Sequence, residues 1–115
     1  MGHGCSVQIV SADHSSGCMV DEHLTVGGEA AGLILIIPIM KLAIYHAGDT
    51  NVFKDMEIIN YLYKPTYLLL PIGGHFTMGP REAALATARY LIYASTVIPM
   101  HFGTFTLLNG TVAEF

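Results

Sequence analysis

Ile44-Tyr45-His46-Ala47-Gly48-Asp49-Thr50 is an apolar, β-branched and aromatic run that stops abruptly at Gly-Asp-Thr. Such a run reads as a buried strand that delivers one carboxylate, Asp49, at its C-terminal end. The same kind of junction recurs along the chain. Ser6 to Ala12 alternates apolar and polar residues, as a half-buried strand does, and hands over to Asp13-His14-Ser15-Ser16-Gly17. Thr66 to Ile72 is another buried run, and it passes into Gly73-Gly74-His75-Phe76-Thr77. Ser95 to Pro99 is a short strand that delivers Met100-His101-Phe102-Gly103.

Between these junctions the pattern alternates. Ala30 to Ile37 reads as a continuous apolar strand, Pro38 to Lys41 as a turn and Leu42 to His46 as the returning strand of a hairpin. Cys18 to Glu29, with Gly27-Gly28 and three acidic residues, reads as a loop. Asn51 to Tyr63 places Val52, Met56 and Ile59 at helical spacing, and Lys64-Pro65 ends that helix. Pro80 suits the first position of a second helix over Arg81 to Tyr93, with Glu82 near its positive end and Leu85 and Leu91 toward the core. Alternating strands and helices predict an α/β layer packing, in which ligands gather at the C-terminal ends of strands.

The bulk properties bound the function. At 115 residues the chain is one domain at most. It is 52% hydrophobic and only 12% charged, about half the charge of an ordinary soluble domain. Either much of it is core, or some apolar surface meets another segment. The longest apolar run, Ala30 to Met40, is broken by Pro38 and falls short of the roughly 20 residues of a spanning helix. The first residues, Met1-Gly2-His3-Gly4-Cys5, carry neither a basic patch nor an apolar block, so a cytoplasmic location is the expectation. Five scattered basic residues and a net charge of −4 predict neither a nucleic-acid nor a membrane partner, and a small-molecule substrate fits better. Cys5 and Cys18 are too far apart for a CxxC pair and could form a disulfide, bind metal or be plain buried thiols, the last being the expectation for a cytosolic chain.

Four strand ends therefore carry a residue able to bind metal or move protons: His14, Asp49, His75 and His101. Two or three imidazoles with a carboxylate make the nitrogen and oxygen shell that zinc, manganese or iron accepts. Such a divalent metal lowers the pKa of bound water to roughly 7. No two of these residues stand at i, i+2 or i, i+4, which leaves a bland alternative of loop histidines exposed by chance. For Asp49 the alternative is capping the helix that begins near Val52, and for Thr50 and Thr77 it is hydrogen bonding within caps or loops.

Ala-Asp-His-Ser-Ser at 12–16, Tyr-His-Ala-Gly-Asp-Thr at 45–50, Leu-Pro-Ile-Gly-Gly-His-Phe-Thr-Met-Gly-Pro at 70–80 and Val-Ile-Pro-Met-His-Phe-Gly-Thr-Phe at 97–105 closely resemble the metallo-β-lactamase superfamily. Within it they look like the metal-dependent hydrolases related to ascorbate-6-phosphate lactonases. The resemblance implies that His14 helps to hold a first metal, that Asp49 bridges two metals and that His101 binds the second. It implies a substrate or oxyanion contact for His75, with Thr77 on the same pocket-lining loop. The superfamily's His-x-His-x-Asp-His motif is absent from these 115 residues. His3 and His46 do not replace it, and His46 is expected to point away from the metals. On this resemblance the chain reads as the C-terminal half of an αββα sandwich. It would expose an apolar face that self-associates as a homo-oligomer or meets a complementing N-terminal half. Two functions follow: hydrolysis of ester, lactone or phosphoester bonds by a metal-activated hydroxide, or a non-catalytic truncated paralogue serving as scaffold or binding module.

Overall fold

A computed structural model describes residues 4–115; His3 lies outside the described residues. One sheet organises them. Its strands are β1 (Ser6–Ser11), β4 (Ala31–Ile37), β5 (Leu42–His46), β6 (Tyr67–Pro71) and β7 (Thr96–Met100), side by side in that order. The expected hairpin is present, with β4 antiparallel to β5 around a single 3₁₀ turn at Pro38–Met40. β1 pairs antiparallel with β4, while β5, β6 and β7 run parallel. Two antiparallel steps restore direction, so β1, β5, β6 and β7 all end at the same edge of the sheet. That edge is where the sequence places His14, Asp49, His75 and His101.

The helices α1 (Met56–Tyr63) and α2 (Pro80–Arg89) supply the cover of one sheet face. Ile34, Tyr45, Leu68, Leu70 and Ile72 are buried there with Met56 and Ile59 of α1 and Ala83 and Ala86 of α2. At period 2, the neighbouring residues face the other way. That outer face is apolar: Val7, Leu33, Leu35, Ile44 and Leu69, with His46, line a shallow concavity of about 360 Å³. Ile9 is 76% exposed and Ile98 45%. The expected exposed apolar face is therefore present, and His46 does point to it.

Several sequence expectations need correction. The stretch read as a loop from Cys18 holds a second, two-stranded sheet, β2 (Gly17–Val20) antiparallel to β3 (His23–Val26). Every residue of both strands is exposed, so no burial pattern marked them. Their turn is Asp21-Glu22, both with positive φ, where a hairpin normally uses Asn or Gly. α1 begins at Met56, five residues later than the expected start at Asn51. α2 stops at Arg89, and its inner face is Ala83 and Ala86; Leu85 is exposed. β1 is more exposed than a half-buried strand, as befits a sheet edge. Cys5 and Cys18 are free and exposed, not buried. Pro80 does sit in the first turn of α2, and Glu82 accepts a hydrogen bond from the Gly79 N–H at 3.1 Å. Among the described residues no helix is long and apolar enough to cross a membrane.

Candidate active site

Thr50 ties three loops together. It is fully buried, and its hydroxyl oxygen accepts the Asp13 N–H at 2.9 Å while donating to the Asn51 carbonyl at 2.8 Å. Its own carbonyl accepts the Met78 N–H at 2.9 Å, and the Asp13 carbonyl accepts the Asn51 N–H at 2.9 Å. The loop after β1, which carries His14, the loop after β5, which carries Asp49, and the loop after β6, which carries His75, are thereby fastened to one residue. The loop after β7 joins them differently. The Ile72 N–H donates to the Met100 carbonyl at 3.0 Å, which lays Gly73 beside His101.

Asp49 and His101 meet. His101 Nε2 stands 3.5 Å from Asp49 Oδ2, with the imidazole 26% and the carboxylate 53% exposed. His101 Nδ1 is buried and has no partner among the described residues, which leaves Nε2 as the nitrogen that faces outward chemistry. His101 has φ of 53°, a left-handed conformation that costs a non-glycine residue about 1 kcal/mol or more. That turn takes the chain sharply out of β7 and presents the ring at the strand end. Asp49 does not cap a helix, since the position before α1 belongs to Asp55. The backbone of Gly48, with φ of 69°, aims it instead: a Cβ on Gly48 would lie 2.6 Å from the Ala31 carbonyl oxygen.

His14 stands on the adjacent loop with Nδ1 at 2.7 Å from the Ser15 carbonyl. A carbonyl can only accept, so Nδ1 carries the proton and Nε2 of the neutral ring keeps its lone pair. This is the arrangement by which a backbone oxygen fixes a metal-ligating histidine in its tautomer. Its ring has not joined the other two: among the described residues no three His, Cys, Asp or Glu side chains gather closely enough to hold a metal. Thus two of the three expected ligands are brought together, and the third is on the neighbouring loop.

His75 is separate. It too has a left-handed backbone, φ 61°, and its ring packs edge-on against Phe76 with centroids 4.3 Å apart. With Gly73, Gly74, Pro80, Asn109 and Glu114 it lines a cleft of about 300 Å³, and Gly73 of that lining adjoins the His101 backbone. Thr77 is buried and its hydroxyl is directed at the Met78 carbonyl, 3.4 Å away, so it braces the loop rather than facing the cleft. The opposite wall comes from the C-terminal segment, whose residues carried no motif by which the sequence could single them out.

Residues 1–102 match the β-lactamase superfamily domain. The chain belongs to the β-lactamase superfamily. Among the superfamily members it resembles is a UPF0173 metal-dependent hydrolase of Koribacter versatilis, 45% identical over 109 residues, covering 95% of this chain and 46% of the relative. Another of that description, from Methanocaldococcus jannaschii, is 46% identical over 114 residues, covering 98% of this chain and 48% of the relative. A solved metallo hydrolase of the hyperthermophilic archaeon Ignicoccus hospitalis superposes with a TM-score of 0.78 at 38% identity, over 96% of this chain and 43% of that one. The chain spans about half the length of the curated relatives it matches. A mixed α/β fold, a sheet with two helices, is thus shared with metallo-hydrolases of this superfamily.

Proposed function

We propose that this chain carries the ligand edge of a metal-dependent hydrolase acting on a small molecule with an ester, lactone or phosphoester bond. The observation that carries the reading is the approach of Asp49 Oδ2 to His101 Nε2 at 3.5 Å, across the end of the strand between them. A carboxylate oxygen and imidazole nitrogens are donors that zinc, manganese and iron accept, and zinc suits this set best. Asp49 and His101 would hold the ion, with His14 offering Nε2 from the next loop. A bound divalent metal supplies water acidic enough to be hydroxide near neutral pH.

The rest falls to the chain's own groups. Thr50 holds the Asp49 and His14 loops in register, and the Gly73-Gly74-His75 loop forms the floor of a cleft into which a substrate oxygen can be turned. His75, exposed at that cleft, can donate a hydrogen bond to an oxygen gaining negative charge. A second reading, a non-catalytic scaffold or binding module, is favoured by one observation: the three expected ligands do not gather among the described residues.

Metal analysis of the purified chain after zinc loading, with Asp49→Ala and His101→Ala beside it, separates the two. The hydrolase reading expects about one zinc per chain that both variants lose, together with turnover of a p-nitrophenyl ester, a lactone or a p-nitrophenyl phosphodiester. No zinc and no turnover would leave the scaffold.

A further inference from the structure

We propose that Gly73 is a positioning residue for His101: its missing side chain is what lets the His101 backbone sit where the ring meets Asp49. The proposal rests on the metal-site reading above for its functional consequence, though not for its geometry. A Cβ on Gly73 would lie 2.2 Å from the His101 carbonyl oxygen, more than about 1 Å inside ordinary van der Waals contact. That neighbour is backbone, which cannot rotate aside as a side chain can. The same Cβ would meet Leu108 Cβ and Cδ2 at 3.2 Å, so Leu108 would have to give by a few tenths of an ångström, which is milder than the clash with the His101 carbonyl.

Gly73 itself cannot retreat. Its carbonyl accepts the Gly110 N–H at 3.1 Å, and Gly110 is pressed so closely on Ile72 that a Cβ there would lie 1.9 Å from the Ile72 carbonyl oxygen. On the other side, the preceding Ile72 N–H is committed to Met100. Strand pairing and the C-terminal segment therefore pin Gly73 from both directions. His101 is the part that gives, being half-buried at a strand end and already in a left-handed turn. Its ring would swing from Asp49, and metal ligation tolerates ligand distances only within about 0.2 Å.

The test compares wild type, Gly73→Ala and Leu108→Ala. In metal-free protein the nuclear Overhauser contact between the His101 imidazole and the Asp49 Hβ protons should be present in wild type, lost in Gly73→Ala and kept in Leu108→Ala. Zinc affinity by calorimetry should fall about ten- to a hundredfold in Gly73→Ala, the size typical for disturbing the support of a ligand, and hold in Leu108→Ala. Far-UV circular dichroism should be unchanged in both. Gly73→Ala that keeps the contact overturns the proposal. So does Leu108→Ala that loses it equally, since the effect then belongs to the seating of the C-terminal segment. Global unfolding of Gly73→Ala overturns it too, by making the glycine a residue of the scaffold. Should wild type take up no zinc, the metal-site reading fails, and the Overhauser comparison still decides the role of Gly73.

Discussion

Asp49 and His101 leave strands β5 and β7, which are held apart by β6, yet their side chains approach to 3.5 Å. Adjacent strands lie about 4.8 Å apart, so the two must reach over the end of β6 to meet. Beyond that end the chain is Ile72, whose side chain is buried in the core, and then Gly73-Gly74, which has no side chain to stand in the way. A single strand end would be an accident of sequence; two that converge across a third are a built relationship.

A first prediction follows from direction. Asp49→Ala and His101→Ala should each abolish stoichiometric zinc uptake, whereas His46→Gln should leave it intact. His46 lies three residues before Asp49 but is exposed on the outer apolar face, its Nδ1 accepting the Gly48 N–H at 3.2 Å. Loss of zinc in His46→Gln, measured by metal analysis, would show that the site has been placed on the wrong side of the sheet.

Thr50→Val should be costly beyond its size. The substitution keeps shape but removes the acceptor of the Asp13 N–H and the donor to Asn51, at about 1–2 kcal/mol by urea unfolding. It should also weaken zinc binding, because the His14 loop loses its tie to the Asp49 loop. A variant as stable as wild type, with equal zinc affinity, would remove Thr50 from its place as the common anchor.

Tyr45 offers a prediction with a definite sign in pH. Its ring is fully buried and its hydroxyl has no partner among the described residues, so burial pushes the phenol's pKa up from 10. A raised pKa means the folded chain holds this proton more tightly than the unfolded one. The resulting stability is fully present below pH 10 and is lost as pH rises from there toward the folded value. Tyr45→Phe lacks that term and also drops an unpaired buried hydroxyl. It should be about as stable as wild type or up to about 1 kcal/mol more stable at neutral pH. The difference between the two proteins should widen in favour of Phe above pH 10, read by thermal melts; an unchanged difference would mean the hydroxyl has a partner.

How much of this was legible in the sequence depends on whether burial left a mark. The runs ending at Ile37, His46 and Ile72 are buried on at least one face and announced themselves as strands. β2 and β3 are exposed throughout and turn on Asp21-Glu22, so neither periodicity nor turn chemistry betrayed them. Val52 and Phe53 are half-buried in a segment that is neither helix nor strand and imitate a helix start. In the site, Asp49 and His101 were visible as residues at strand ends. Their convergence was not, because it depends on the order of strands in the sheet. In the sequence Gly73 is one glycine of a loop, and its contact with His101 exists only through the parallel register of β6 and β7.

The outer face of the sheet gives the last prediction. Val7, Ile9, Leu33 and Ile98 are 55%, 76%, 44% and 45% exposed, and Leu35, Ile44 and Leu69 deepen the same patch. A contiguous apolar surface of this kind is rare on a monomer and favours association. The chain should therefore associate in a concentration-dependent way by sedimentation velocity and should enhance the fluorescence of an apolar dye. Ile9 and Leu33 stand directly opposite each other in the β1–β4 register, so charging them together is the informative change. Ile9→Glu with Leu33→Lys puts opposite charges across the strand pair, which compensates the sheet at roughly 0.2–1 kcal/mol while breaking the patch. The double variant should sediment as a monomer and lose most of the dye signal, with its circular dichroism unchanged. A wild-type chain that stays monomeric at high micromolar concentration would mean that the patch is too small or too curved to draw a second surface onto itself.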